Sequence, residues 1–374
     1  MIYLDNAATT KPDEEALDKA EKYYEENFWN PSALYAGGLA VKKRITEIKE
    51  NILRYFPLGF ELVFVSCGSE ADNTAIFSFA RRGNAVTTSG EHSAVYESFT
   101  ELKKRGVEPR FAKLNADGSV NVENLLDLVD EKTSFVSVVH VNNETGAIND
   151  VNKIAELVKK KNPSVVFHSD GVQAFGKIPF KMSDKIDLYS VSAHKIGGLK
   201  GVGGLIKKKS LTLYPLIHGG GQENGMRSGT ENVLGIIDFG FVAGSHLSRV
   251  SENFEKTAIV KGVFLDNLDK RFIKIISGEN SSPYIVSFSA KGLRGEVIMH
   301  MLEEYGVVAG TGSACSSRQR HSRVLKNCGY GGDVLDGAIR ISFSDKSTES
   351  EAMFAAEKIS ECIKKLKGVM DRNI

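Results

Sequence analysis

Two things are scarce in this 374-residue chain: cysteine, and any excess of charge of one sign. The four cysteines, Cys67, Cys315, Cys328 and Cys362, show no C-x-x-C spacing. Neither a structural zinc site nor a disulfide framework is indicated, and no metal ligands are assigned. The 48 Lys+Arg balance 47 Asp+Glu to a formal net charge of +1. Without a domain-wide basic excess, nucleic acid is not expected as a direct partner. The runs Lys159-Lys160-Lys161 and Lys207-Lys208-Lys209 read as solvated ends of elements. No apolar stretch approaches the roughly 20 residues that cross a bilayer, so no membrane partner is expected. Met1-Ile2-Tyr3-Leu4-Asp5 lacks the basic-then-apolar pattern of a leader. Internal repeats and low-complexity segments are absent too. These absences point to a reduced, cytoplasmic protein.

The chain does contain a long alternation of helical and strand periodicity, from about Asp13 to Gly244. That pattern fits βαβ units and a mostly parallel sheet. Asp13 to Tyr24, Ala40 to Tyr55 and Val151 to Lys161 read as helices, and Glu61–Val65 and Phe135–Val141 as strands. Asn232 to Asp269 is helical with a break near Val250 to Asn253, where the lobe boundary is placed. Beyond it, Phe272–Ile276, Ile285–Phe288 and Ile339–Phe343 read as strands of an α+β region. The expected fold class is α/β, a large domain over 13–250 and a smaller α+β domain over 251–374.

Three patterns carry chemistry. Lys185–Val191 alternates as a strand and runs into Ser192-Ala193-His194-Lys195, followed by a glycine-rich turn from Gly197 to Gly204. An amine at a strand end with little bulk around it can be desolvated and held against a carbonyl, as Schiff-base chemistry requires. Alone, it is equally a surface lysine. Upstream, the apolar run Val165-Val166-Phe167-His168-Ser169 ends in Asp170, at the carboxyl end of a buried strand where ligands of parallel sheets bind. A carboxylate there can hold a pyridine nitrogen in its protonated state, and it can equally be a turn or cap aspartate. Finally, strand Glu61–Val65 leads through the tight loop Ser66-Cys67-Gly68-Ser69 to a helix starting at Glu70. Such a helix N-terminus suits a phosphate, although Ser69 also reads as a plain helix cap.

In this order, phosphate loop, aspartate and lysine resemble those of the cysteine desulfurases, fold type I pyridoxal-phosphate enzymes of the class V aminotransferase group. Further blocks match nearly end to end: Tyr3-Leu4-Asp5-Asn6-Ala7-Ala8, Glu91-His92-Ser93, Asn142-Asn143-Glu144-Thr145-Gly146, Arg227-Ser228-Gly229-Thr230, Ser313-Ala314-Cys315-Ser316 and Ile339-Arg340-Ile341. The resemblance implies pyridoxal 5′-phosphate as cofactor and L-cysteine as substrate, with alanine and an enzyme persulfide as products. It implies Lys195 as the Schiff-base lysine, Asp170 against the ring nitrogen, and His92 stacked on the ring. Gln173 would face the phenolic oxygen, Asn143 would lie beside the ring, and Arg340 would fork the substrate carboxylate. Gly68, Ser69, Ser192 and His194 would form the phosphate cup. Thr230 would reach it from a second subunit, hence a homodimer, and residues 1–12 would pack on the smaller lobe. Two departures stand out: Gly197-Gly198-Leu199-Lys200-Gly201 lacks the family's proline, and Cys67-Gly68-Ser69-Glu70-Ala71 stands where Gly-Ala-Thr-Glu-Ser is usual.

Cys315 separates this reading from an ordinary aminotransferase. It lies among small and polar residues with Arg318 and Arg320 close by, surroundings that favour an accessible thiolate. Cys328 and Cys362 read as packing residues, and so does Cys67, with the alternative that it modulates the cofactor because it sits in the phosphate loop. The chain ends soon after a helix from Glu349 to Lys367, without the longer tail of larger relatives. The sulfur-acceptor protein is therefore left open between an iron–sulfur scaffold and a tRNA-thiolation enzyme. A selenocysteine lyase, another class V transaminase or lyase, and a non-catalytic binding module are the alternatives.

Overall fold

The structure is a computed structural model and describes residues 1–312 and 321–370. Its strands are β1 (Ile2–Tyr3), β2 (Phe60–Val65), β3 (Asn84–Thr88), β4 (Glu108–Ala112), β5 (Thr133–Ser137) and β6 (Val166–Asp170). They continue with β7 (Leu188–Ser192), β8 (Gly203–Lys208), β9 (Ile273–Ile275), β10 (Ile285–Ala290), β11 (Val307–Val308) and β12 (Ala338–Ser342). Among the described residues, seven strands form one sheet in the order β2-β8-β7-β6-β5-β3-β4. Neighbours pair in parallel from β7 to β4, whereas β8 runs antiparallel to both β2 and β7. The antiparallel β8 therefore leaves β2 pointing the same way as β7. The carboxyl ends of β2, β3, β5, β6 and β7 share one edge, where α/β sheets bind their ligands.

The sheet is buried on both faces, so its strands are apolar runs rather than alternating ones. One face packs Val86, Val136, Phe167, Tyr189 and Ile206 against the helices Glu14–Glu26, Ala36–Leu53, Val151–Lys161 and Val233–Ser248. The other packs Val63, Val65, Phe135, Leu188 and Leu205 against Gly68–Phe79 and Ser93–Leu102. A separate core holds Leu4, Phe264, Phe288, Ile341, Phe343 and Ile359 around the antiparallel sheet β12-β10-β9. The amino-terminal residues belong to this second core: β1 pairs with β11, and Asn6 Nδ2 donates to Ser342 O at 2.9 Å.

Two elements differ from their sequence pattern. The expected strand 135–141 leaves the ladder after Ser137. Val138 and His140 still donate to His168 O and Asp170 O of β6, but the Val139 N–H is taken by Glu91 Oε1 at 3.0 Å. A side chain thus fills the place of a neighbouring strand. The helix expected from Glu70 begins earlier, at Gly68, with Cys67 as its N-cap. The long helical pattern breaks at Arg249, between Val233–Ser248 and Val250–Asn267, with a 75° bend. Among the described residues, no single helix is long and apolar enough to cross a membrane.

Candidate active site

A cavity of about 470 Å³ opens at the carboxyl edge of the sheet. It collects Gly68, Ser69, His92, Asn143, Asp170, Gln173, Ser192, His194, Lys195 and Arg340 from six separate stretches of chain. The ends of β2, β6 and β7 deliver Gly68, Ser69, Asp170, Gln173, Ser192, His194 and Lys195. After β2, the turn at Cys67 starts the helix Gly68–Phe79 with no side-chain cap. Cysteine cannot cap as serine or aspartate would, so no side chain competes for the first amides and the positive helix end faces an anion. Gly68 is required here because a Cβ would meet Val172 Cγ2 at 2.6 Å. After β6, Asp170 Oδ1 accepts the Val172 N–H at 2.9 Å. Gly171 then lets the Tyr189 ring lie where a Cβ would be 2.0 Å from Cζ. After β7, one short 3₁₀ turn, Ala193–Lys195, aims Lys195 into the cavity. Its Nζ donates to Ala7 O at 2.6 Å and Ala8 O at 2.7 Å.

The rest of the wall is held just as definitely. Gln173 Nε2 donates to Ala7 O at 2.8 Å. His92 caps the helix Ser93–Leu102, its Nδ1 accepting the Ala94 N–H at 3.2 Å. In a neutral ring, Nε2 therefore carries the proton. His194 Nδ1 lies 3.1 Å from Thr9 Oγ1. Arg340, buried on β12, donates to Asn143 O at 2.8 Å, Gly312 O at 2.6 Å and Asp5 Oδ1 at 2.8 Å.

Four buried carboxyl groups, Asp72, Glu91, Glu144 and Asp170, face this one cavity, and Asp72, Glu91 and Asp170 act on one another. Desolvation raises all three, and repulsion from Asp170 adds to it at Asp72 and Glu91. Glu91 is pushed up to about 8 and Asp72 well above the carboxylate range, whereas Asp170 rises only to about 6, held down by the Val172 N–H and the charge of Lys195. At neutral pH, Asp170 is the ionised member, the state that can face a protonated ring nitrogen. Desolvation, with Lys195 and Arg323 nearby, depresses His92 to about 4 and keeps its ring neutral.

The raised Glu91 makes a stability prediction. Its folded value lies above the ordinary 4.5, so the folded state keeps a proton that the unfolded state loses. That contribution is complete below pH 4.5 and lost as pH rises to about 8. Glu91→Gln is expected to gain stability over the parent by about 1 kcal/mol per pH unit across this window. Denaturant unfolding of the cofactor-free protein at pH 5.5 and 7.5 checks it, and parallel curves would refute it.

Several buried polar atoms of this cavity have no hydrogen-bond partner among the described residues: Ser192 Oγ, Arg340 Nε, Asp72 Oδ1 and Glu91 Oε2. Buried polar groups rarely stay unpaired in proteins. An uncapped helix end with a serine hydroxyl, an ionised aspartate and an accessible amine fit the phosphate, ring nitrogen and aldehyde of pyridoxal phosphate.

Not every expected residue comes together. Thr230 is exposed and lines other depressions, one of them shared with Phe28 and Trp29. Cys315, Arg318 and Arg320 lie outside the described residues. Cys67, taken as a packing residue, instead lines the cavity and is only partly buried. The helix must begin with a close approach at Gly68, which leaves its cap at the cavity wall. Cys328 and Cys362 are buried. Asp72, Glu91 and Arg323 escaped the sequence reading as site residues. Glu91 stood next to His92 and could have been found, but Arg323 belongs to no motif.

A class V aminotransferase family model matches residues 2–353. The chain is 35% identical over 377 residues to a protein named cysteine desulfurase IscS from Clostridium botulinum (strain Hall), covering 97% of this chain and 94% of the relative. Among solved structures, a NifS-like protein superimposes with a TM-score of 0.91 at 33% identity, over 97% of this chain and 99% of that one. A structure described as SspA in complex with cysteine gives 0.79 at 26% identity, over 93% and 100%. The chain belongs to the class V aminotransferase family, among the cysteine desulfurases.

Proposed function

We propose that this protein uses pyridoxal 5′-phosphate to convert L-cysteine to L-alanine, and that Cys315 receives the sulfur as a persulfide. The observation that carries this reading is the convergence of Lys195, Asp170, His92 and Arg340 with an uncapped helix end in one cavity. When bound, the cofactor supplies an electron sink for the charge released at the substrate Cα. Gly68 and Ser69 with Ser192 and His194 hold the phosphate, Asp170 the ring nitrogen and Gln173 the phenolic oxygen. Asn143 and His92, which line the same cavity, would hold the ring in place. Lys195 takes the Cα proton, for which it must be an uncharged amine. Arg340 forks the substrate carboxylate, and guanidinium is suited to that planar pairing. The Cys315 thiolate then attacks the substrate sulfur. The S–S bond forms as the C–S bond breaks, and the bonding pair stays on the carbon fragment, which is protonated and leaves as alanine.

Thr230 completes the phosphate cup of a second copy. In support, it shares its depression with Phe28 and Trp29, near the exposed Leu34, Tyr35 and Leu39, and an apolar surface of this kind suits an interface. The persulfide passes to an acceptor protein, an iron–sulfur scaffold or a tRNA-thiolation enzyme. Thiol chemistry of this kind places the protein in the reducing cytoplasm. Incubation with cysteine, cofactor and an excess of dithiothreitol is expected to release alanine and sulfide in equal amounts. Alanine without sulfide, or pyruvate in its place, would refute the reading.

A further inference from the structure

Arg323 lines the cavity and has no part in the chemistry above. It opens the short helix Arg323–Asn327. Its guanidinium donates from Nη1 to Ser89 O and from Nη2 to Glu91 O, residues 234 and 232 positions away. The Tyr96 ring centre lies 3.8 Å from the guanidinium carbon. Between those two carbonyls, Gly90 O accepts from Asn142 Nδ2 at 2.9 Å. Three successive carbonyls of the turn joining β3 to the helix Ser93–Leu102, those of Ser89, Gly90 and Glu91, are thus held from outside, two of them by one side chain. The next residue is His92.

We propose that Arg323 is a positioning residue that sets where the His92 imidazole stands in the cavity. The proposal rests on reading that cavity as the cofactor site. A guanidinium carries its charge permanently and offers a planar fork, so it can bond two carbonyls while stacking on an aromatic face. An ammonium has donors enough for two carbonyls, but it is a compact point charge without the planar fork, so it cannot pair with both while stacking on the Tyr96 ring. The same charge also acts on His92 directly. With Lys195 it opposes protonation of the imidazole, and His194 faces the same region. Glu91, Glu97 and Glu144 surround the guanidinium in turn.

The test reads His92 itself, in cofactor-free protein labelled with ¹⁵N-histidine, its signal assigned by loss in His92→Asn. In Arg323→Met, the His92 titration midpoint is expected to rise by about half to one pH unit. In the loaded protein, kcat for cysteine is expected to fall about 10- to 100-fold, with the dissociation constant for pyridoxal phosphate within about threefold. Arg323→Lys keeps the charge without the fork, so it should leave the midpoint in place and recover only part of kcat. Should Arg323→Met fail to fold, Arg323→Gln, which can still bond one carbonyl, replaces it. An unmoved midpoint in the neutral variant, or unchanged kcat, overturns the proposal. The titration needs neither cofactor nor substrate, so a failure of the cysteine reading is distinguishable from a failure of this one.

Discussion

Lys195→Ala is expected to abolish turnover of cysteine, with a loss of about a thousandfold or more, and to remove the covalent link between protein and cofactor. The reason lies in the cavity's geometry. Lys195 is the lysine that lines it, delivered by one 3₁₀ turn from the end of β7 and held by the carbonyls of Ala7 and Ala8. Among the described residues no other lysine shares that wall, so none of them can take over the tethering of the aldehyde or the removal of the Cα proton. The phosphate cup is untouched by the change, and Asp170 keeps its place on β6, although it loses the Lys195 charge that lowers its pKa. Pyridoxal phosphate should therefore still bind, reversibly and without borohydride-fixable attachment. Mass spectrometry after borohydride treatment reads the link, and alanine formation reads turnover. A variant that kept either would remove Lys195 from the centre of the mechanism.

Cys315→Ala carries the second large effect. Sulfide release in the presence of dithiothreitol is expected to fall about a hundredfold or more, while the dissociation constant for the cofactor stays within about threefold. The separation follows from what each group touches. The cofactor's partners lie on the strand ends of the sheet, and Cys315 belongs to a segment beyond β11 that precedes His321. Persulfide on the parent protein, trapped by alkylation and located by mass spectrometry, should be missing from the variant. Full sulfide release by Cys315→Ala would instead favour a lyase or transaminase in which this thiol is incidental. Cys67 gives a control within the same cavity: Cys67→Ala should keep its persulfide on Cys315.

Much of the site was legible because it is local. Lys195 follows a strand within three residues, Asp170 ends one, and Gly68 and Ser69 begin a helix directly after another. Each of these is a short pattern of apolar run, turn and small residues, and a sheet edge brings such ends together whatever the loops between them do. The helix Val151–Lys161 was equally plain, since its apolar positions recur at helical spacing and Asp150 caps it. The end of the strand after Phe135 was not legible. It depends on Glu91 Oε1 taking the Val139 N–H from 48 residues away, and no window along the chain contains both.

Residue order by itself determined the succession of elements, the mostly parallel sheet and the placing of Lys195, Asp170 and Gly68-Ser69 at strand ends, because these follow from periodicity and chain chemistry over a few neighbouring positions. Tertiary structure alone decided which carboxyl group carries the charge. Asp72, Glu91 and Asp170 are ordinary acids in the sequence, and they differ only once burial and mutual repulsion act on them. It also decided that Arg323 grips the turn before His92 and that Cys67 lines the cavity. Solvation and long-range approach set these outcomes, and neither is a property of any short stretch of chain.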